Sequence, residues 1–152
     1  MKSQDLDFVC KMVRQDSAIV LDASKEYLVE SRLTPVARKQ GFDSVDELVL
    51  AERTNAKPGL RRLVVDAMTT NETLFFRDRL PWEALKHEVI PELVEHRRKQ
   101  RRLDIWSAAC STGQEPYTMA MILRESFPSL RDWTVRILAT DISQTVLERA
   151  RE

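Results

Sequence analysis

Three short stretches of this chain hold polar side chains at spacings that suit a ligand: Thr69-Thr-Asn-Glu-Thr-Leu-Phe-Phe-Arg77, Cys110-Ser-Thr-Gly-Gln-Glu-Pro-Tyr117 and Ala139-Thr-Asp-Ile142. The second follows a short apolar run, Leu103 to Ala109, and precedes a helical pattern from Glu115 to Phe127. A strand, turn and helix in this order open backbone at the carboxyl end of a parallel strand, where ligands of open α/β sheets bind. Gly113, the single glycine of the turn, has no Cβ to block close approach. Neither G-x-G-x-x-G nor Gly-Lys-Ser/Thr occurs, which argues against a phosphate cradle.

Glu115 at the helix start favours a cationic ligand group. S-adenosylmethionine carries an ammonium and a sulfonium and no phosphate, so its chemistry fits. A second reading stands beside this one: Thr112-Gly-Gln-Glu115 is a capping-box pattern, and Pro116 suits a first helical turn. Asp141 ends a second apolar run, Val135 to Ala139, where a carboxylate can bridge ribose hydroxyls with its two oxygens. The competing reading is that Asp141 or Ser143 caps the helix that follows.

The elements that must hold these residues divide in character. Residues 1 to about 70 read as helices, with Leu6, Val9, Met12 and Val13 at helical spacing. A stretch from Ser24 to Gln40 carries Leu28, Leu33 and Ala37, and Pro35 inside it leaves one kinked helix or two helices open. Ser44-Val-Asp-Glu47 is a capping box that starts a short helix, and Leu60 to Met68 resumes helical spacing. Leu74, Phe75 and Phe76 are expected in the core, joining two domains. A charged helix from about Leu80 to Gln100, with Pro91 in it, follows. The order then becomes strand, helix, strand, helix start, as in a parallel α/β sheet with buried strands. The chain ends within a helical pattern, without a stop signal, and two strands alone do not make a covered parallel sheet. We therefore expect a helical domain over 1–70, an interdomain segment and linking helix over 71–102, and the first βαβ unit of a longer α/β domain over 103–152.

Composition limits the function classes. Lysine plus arginine and aspartate plus glutamate each number 24, so no net charge draws the chain to nucleic acid or an anionic membrane. No apolar run approaches the roughly 20 residues of a membrane span. Cys10 and Cys110 are far apart and form no metal-type cluster, as expected for reduced thiols in a cytoplasmic protein. The basic run His96-Arg-Arg-Lys-Gln-Arg-Arg102 lacks interleaved aromatics and reads as the solvated end of a helix. His87 and His96 read as solvated too.

Taken together and in order, the three polar stretches resemble the CheR family of chemotaxis protein-glutamate methyltransferases, and the helical region before them resembles that family's N-terminal domain. The resemblance covers nearly the whole chain and implies a Rossmann-like methyltransferase fold after the helices. It implies S-adenosylmethionine as cofactor and S-adenosylhomocysteine as product. It assigns cofactor contacts to Asn71, Thr73, Arg77, Gly113, Glu115 and Asp141, and a place beside the methyl acceptor to Arg77. Gln114 departs from the family, in which a second acidic residue is common there. The implied partner is the cytoplasmic helical bundle of a chemoreceptor, whose glutamates become methyl esters. Lys25, Arg32 and Lys39 repeat at seven residues, with Arg38 adjacent. From the family's basic N-terminal helix, Arg32, Arg38 and Lys39 are expected to read the receptor, against a merely solvated face. A helical receptor-binding module without catalysis and a nucleic-acid methyltransferase are the alternatives. An incomplete sheet also invites pairing between copies over 103–152.

Overall fold

The computed structural model describes residues 1–152, except the side chain of Ala23. It divides into two compact units, Met1–Thr70 and Asn71–Glu152.

The first unit is four helices: α1 Ser3–Ser17, α2 Glu26–Gln40, α3 Val45–Arg53 and α4 Leu60–Met68. Each buries one apolar stripe, as the helical spacing requires. Leu6, Val9, Met12 and Val13 of α1 meet Val29, Leu33 and Ala37 of α2, Leu48 and Val49 of α3, and Leu60, Val64, Val65 and Met68 of α4. Burying each of the larger aliphatic chains contributes roughly 1.5–3 kcal/mol. Pro35 does not break α2. It removes one backbone donor, but Leu33 and Ala37 on either side are 0% and 2% exposed, so packing holds the helix through it. Thr34 is no N-cap, since its hydroxyl donates back to the Glu30 carbonyl. Gly41 ends α2 at φ 84°. Ser44 caps α3, its Oγ accepting from the Glu47 amide, while Glu47 accepts from the Asp43 amide one residue before the cap. Among the described residues, ion pairs of Arg53 with the largely buried Asp5 and of Arg61 with Asp16 link the helices.

The second unit opens with an extended segment and then runs helically from Arg79 to His96. This stretch is α5 Arg79–Ala84, a π-helical turn Leu85–Val89, and α6 Ile90–His96. The widened turn directly precedes Pro91, whose ring would clash with a carbonyl of a regular preceding turn. The basic run ends α6 with His96, and its remainder over 97–101 is the turn into β1 rather than helix. His96, Arg98 and Arg102 lie beside Glu92, Glu95 and Asp104, and His87 and His96 are 62% and 72% exposed.

Strand β1 Arg102–Ala108 pairs in parallel with β2 Thr134–Thr140, joined by α7 Gln114–Ser126, and α8 Gln144–Ala150 follows. Leu103 and Ile105 face a cluster with Ile90, Leu123 and Leu130. The expectation of strands buried on both faces does not hold. Trp106 and its register partner Leu138 are 69% and 52% exposed. The helices α6 and α7 contribute to the apolar cluster on one face of the sheet, and Trp106 satisfies its indole N–H on the Thr140 hydroxyl. No helix among the described residues is long and apolar enough to cross a membrane.

Candidate functional site

The turn between β1 and α7 is strained. Ala109, Ser111 and Gly113 lie at φ 57°, 49° and 96°. Such values suit glycine and disfavour the other two by about 1–2 kcal/mol each. Two amides of the turn go to carbonyls, Cys110 to Thr140 and Gly113 to Cys110, and the Ser111 amide is left to face an anion. Here the anion is the protein's own. The Asp141 carboxylate accepts from the Ser111 amide at 2.8 Å and from the Ser143 amide at 2.9 Å. Ser143, fully buried, caps α8 by accepting from the Val146 amide. The cap is therefore Ser143, and Asp141 fastens the two ligand-side loops together.

Gly113 is fixed by more than its φ. A Cβ there would stand 3.0 Å from the Tyr117 ring and 3.3 Å from the Ala150 Cβ. Its freedom serves packing against α8, with Tyr117 donating its hydroxyl to the Ala150 carbonyl at 3.1 Å.

The capping-box reading of Glu115 fails. Gly113 is the N-cap of α7, and the Thr112 hydroxyl donates instead to the Gln114 side chain at 2.7 Å. Glu115 is exposed in the first turn, and its carboxylate has no hydrogen bond or ion pair among the described residues. Burial pushes the Cys110 thiol up, and the charges of Asp141 and Glu115 push it further, so both carboxylates act on the same turn.

The segment 71–77 lies on this turn and on α7. The Ser111 hydroxyl donates to the Asn71 carbonyl at 2.8 Å, and the Phe76 amide donates to the Thr118 hydroxyl at 3.2 Å. Thr73 is half-buried between them. Phe76 and Asp78, at φ 55° and 56°, flank Arg77. The Arg77 guanidinium donates to the Glu72 carbonyl at 2.9 Å and lies 3.8 Å from Asp78, while Trp82 holds the Arg77 carbonyl. Thr69 closes α4, its hydroxyl donating to the Asp66 carbonyl at 2.6 Å. Leu74, Phe75 and Phe76 are not core, being 63%, 55% and 51% exposed. Backbone held through Ser111 and Thr118, two hydroxyls that sequence reasoning passed over, replaces apolar packing here.

Gly113 and Asp141 line a cleft of about 540 Å³ with Cys110, Tyr117, Thr140 and Leu147. Asn71, Thr73, Arg77 and Glu115 stand outside it. In the helical unit, Arg32 is engaged: its guanidinium donates to the Met68 and Thr69 carbonyls at 2.8 and 2.9 Å, closing the end of α4. Arg38 and Lys39 are exposed in the last turn of α2.

Helices precede a parallel α/β unit whose strand-to-helix turn carries Asp141 and Glu115 and has no phosphate loop. Residues 4–69 match the model of the CheR methyltransferase all-alpha domain, and residues 71–152 match that of the CheR methyltransferase SAM binding domain. The chain belongs to the CheR methyltransferase family. It is 46% identical over 151 residues to chemotaxis protein methyltransferase 1 of Pseudomonas aeruginosa, covering 97% of this chain and 54% of that protein. It is 45% identical over 157 positions to chemotaxis protein methyltransferase Cher2 of Pseudomonas putida, covering 99% and 56%. With chemotaxis protein methyltransferase 1 of Vibrio cholerae it shares 42% over 154 positions, covering 99% and 54%. The chain thus spans about half the length of the curated relatives it matches.

Proposed function

We propose that this chain supplies a receptor-reading helical domain and one wall of the cofactor site of a cytoplasmic chemoreceptor-glutamate methyltransferase. The observation that carries this is the junction at Ser111, which is bonded to both Asn71 and Asp141. It draws together the three stretches that resemble the family. The residues fit S-adenosylmethionine: Glu115 is an unpaired carboxylate for the ammonium, and Asp141 keeps lone pairs for ribose hydroxyls after accepting two amides. Asn71 and Thr73 border the same turn, and Arg77 is suited to a carboxylate of cofactor or acceptor.

When bound, the cofactor supplies an electrophilic methyl group on a sulfonium. A glutamate side chain is already ionised near pH 7 and needs no general base. The protein's work is to align the acceptor oxygen with the methyl carbon and sulfur and to exclude water. Arg38 and Lys39 are the candidates for reading the receptor, while Arg32 supports their helix from its bond to α4. The open Trp106 and Leu138 face supports pairing of residues 103–152 between copies, which light scattering over a concentration series tests.

We expect the chain alone to bind cofactor weakly and to turn over no substrate. NMR titration with S-adenosylhomocysteine tests the cofactor reading: the shifts it causes near Ser111 should be lost in Asp141→Ala and weakened in Glu115→Gln. Shifts indifferent to both changes would sink the reading, and methylation by the chain alone would sink its inactivity.

A further inference from the structure

Two buried hydroxyls hold the 71–77 segment, and neither is among the residues that resemblance assigns to the site. Ser111 is 6% exposed and Thr118 0%. Every polar group of Ser111 is engaged: its amide with Asp141, its hydroxyl with Asn71, and its carbonyl with the Cys110 thiol at 3.7 Å. It adopts a left-handed conformation at φ 49°, which an ordinary side chain keeps only when its surroundings over-determine it. Thr118 spends its hydroxyl proton on the Gln114 carbonyl one turn back, at 2.7 Å. Its oxygen is then left to accept, and the Phe76 amide is the donor it meets. The grip falls immediately before Arg77, between two left-handed residues.

We infer that Ser111 and Thr118 are positioning residues that clamp the two ends of segment 71–76 onto the strand–turn–helix, setting Asn71, Thr73 and Arg77 relative to Glu115 and Asp141. The apolar side chains of this segment are exposed, so they do not supply the grip. Each acts through backbone: Ser111 holds the Asn71 carbonyl, and Thr118 holds the Phe76 amide next to Arg77. This inference rests on the cofactor reading for its purpose but not for its physical test.

Thr118→Val keeps the shape and removes the acceptor; Thr118→Ser restores it. Amide exchange of the labelled 152-residue chain, read by NMR, should show Phe76 exchanging about five- to ten-fold faster in Thr118→Val, the loss expected for one hydrogen bond. The β1 amide of Ile105 serves as the reference for global opening, and Thr118→Ser should return Phe76 to the wild-type rate. Phe76 exchange that follows Ile105, or that serine fails to restore, overturns the clamp. Ser111→Ala keeps a side chain tolerated at Ala109 in the same conformation and removes only the hydroxyl. Both Ser111→Ala and Thr118→Val should weaken S-adenosylhomocysteine binding about ten-fold, as one lost positioning bond allows. Undiminished binding in both overturns the positioning role. If the wild-type chain shows no binding, the cofactor reading of this chain fails while the exchange comparison still decides the clamp.

Discussion

Replacing Gly113 with alanine tests the packing account of the ligand turn. The backbone at φ 96° penalises any Cβ by about 1–2 kcal/mol, partly offset by about 0.4–1 kcal/mol from a stiffer unfolded chain. The new methyl would also lie 3.0 Å from one Tyr117 ring carbon and 3.1 Å from another. The ring must swing away, and its hydroxyl then leaves the Ala150 carbonyl, forfeiting about 0.5–1.5 kcal/mol. The sum is a loss of about 2 kcal/mol, of which half depends on Tyr117. All three tryptophans, Trp82, Trp106 and Trp133, fall in the second unit, so their fluorescence during urea unfolding reports that unit by itself. For a domain with m near 1 kcal/mol/M the midpoint should fall by roughly 2 M. The decisive comparison is a double-mutant cycle with Tyr117→Ala. If the ring is the obstacle, Gly113→Ala should lose about 1 kcal/mol less in that background. Strict additivity would refute the steric argument and leave only the conformational one.

Ser143→Ala should lower the stability of the second unit by about 1 kcal/mol, the usual worth of an N-cap, and the same fluorescence assay reads it. Arg32→Gln should lower the stability of the helical unit by about 1 kcal/mol through the α4 carbonyls it closes, measured by circular dichroism. Arg38→Glu and Lys39→Glu should leave that stability within about 0.5 kcal/mol yet slow receptor methylation by the complete enzyme; unchanged rates would remove them from the receptor surface. The Asp16 carboxyl is held below its ordinary value of 3.8, first by its hydrogen bond to Arg61. A depressed carboxyl contributes stability above its unfolded value and loses it as pH falls through the folded one. Asp16→Asn should therefore be less stable than wild type near pH 6, and the gap should close as pH falls below that ordinary value. A gap that persists at the acid end would assign the loss to something other than ionisation.

The parts of the fold that repeat were readable from side-chain spacing. The apolar stripes of α1 and α4 and the two parallel strands lie within a residue or two of their expected places. What spacing misses is competition for a backbone amide. Ser44 took the cap position its pattern announced, whereas Thr112 did not, because a left-handed Gly113 took it. Leu74, Phe75 and Phe76 read as core by composition, but two distant hydroxyls govern that segment. Arg32 read as a surface charge by its heptad spacing, and the end of α4, far along the chain, claims it. For the candidate site, residue types were visible in the sequence. The partner of each carboxylate was not, since Ser111 and Asp141 are separated by a whole helix and strand.

That pairing decides what the turn can bind. The first turn of α7 presents amides, the left-handed loop before it presents that of Ser111, and unmodified these attract anions. Asp141 takes the Ser111 amide of that loop, and its other hydrogen bond comes from Ser143 ahead of α8. Glu115, exposed and unpaired, adds a second negative charge at the same helix end. A phosphate arriving there meets two carboxylates, whereas an ammonium or sulfonium meets a favourable field. The sign of the site is thus reversed by its own side chains. Glu115→Lys should accordingly reverse the preference, losing S-adenosylhomocysteine while leaving the Asp141 hydrogen bonds, and hence the Ser111 amide shift, in place. Loss of both together would mean that Glu115 supports the turn instead of the ligand.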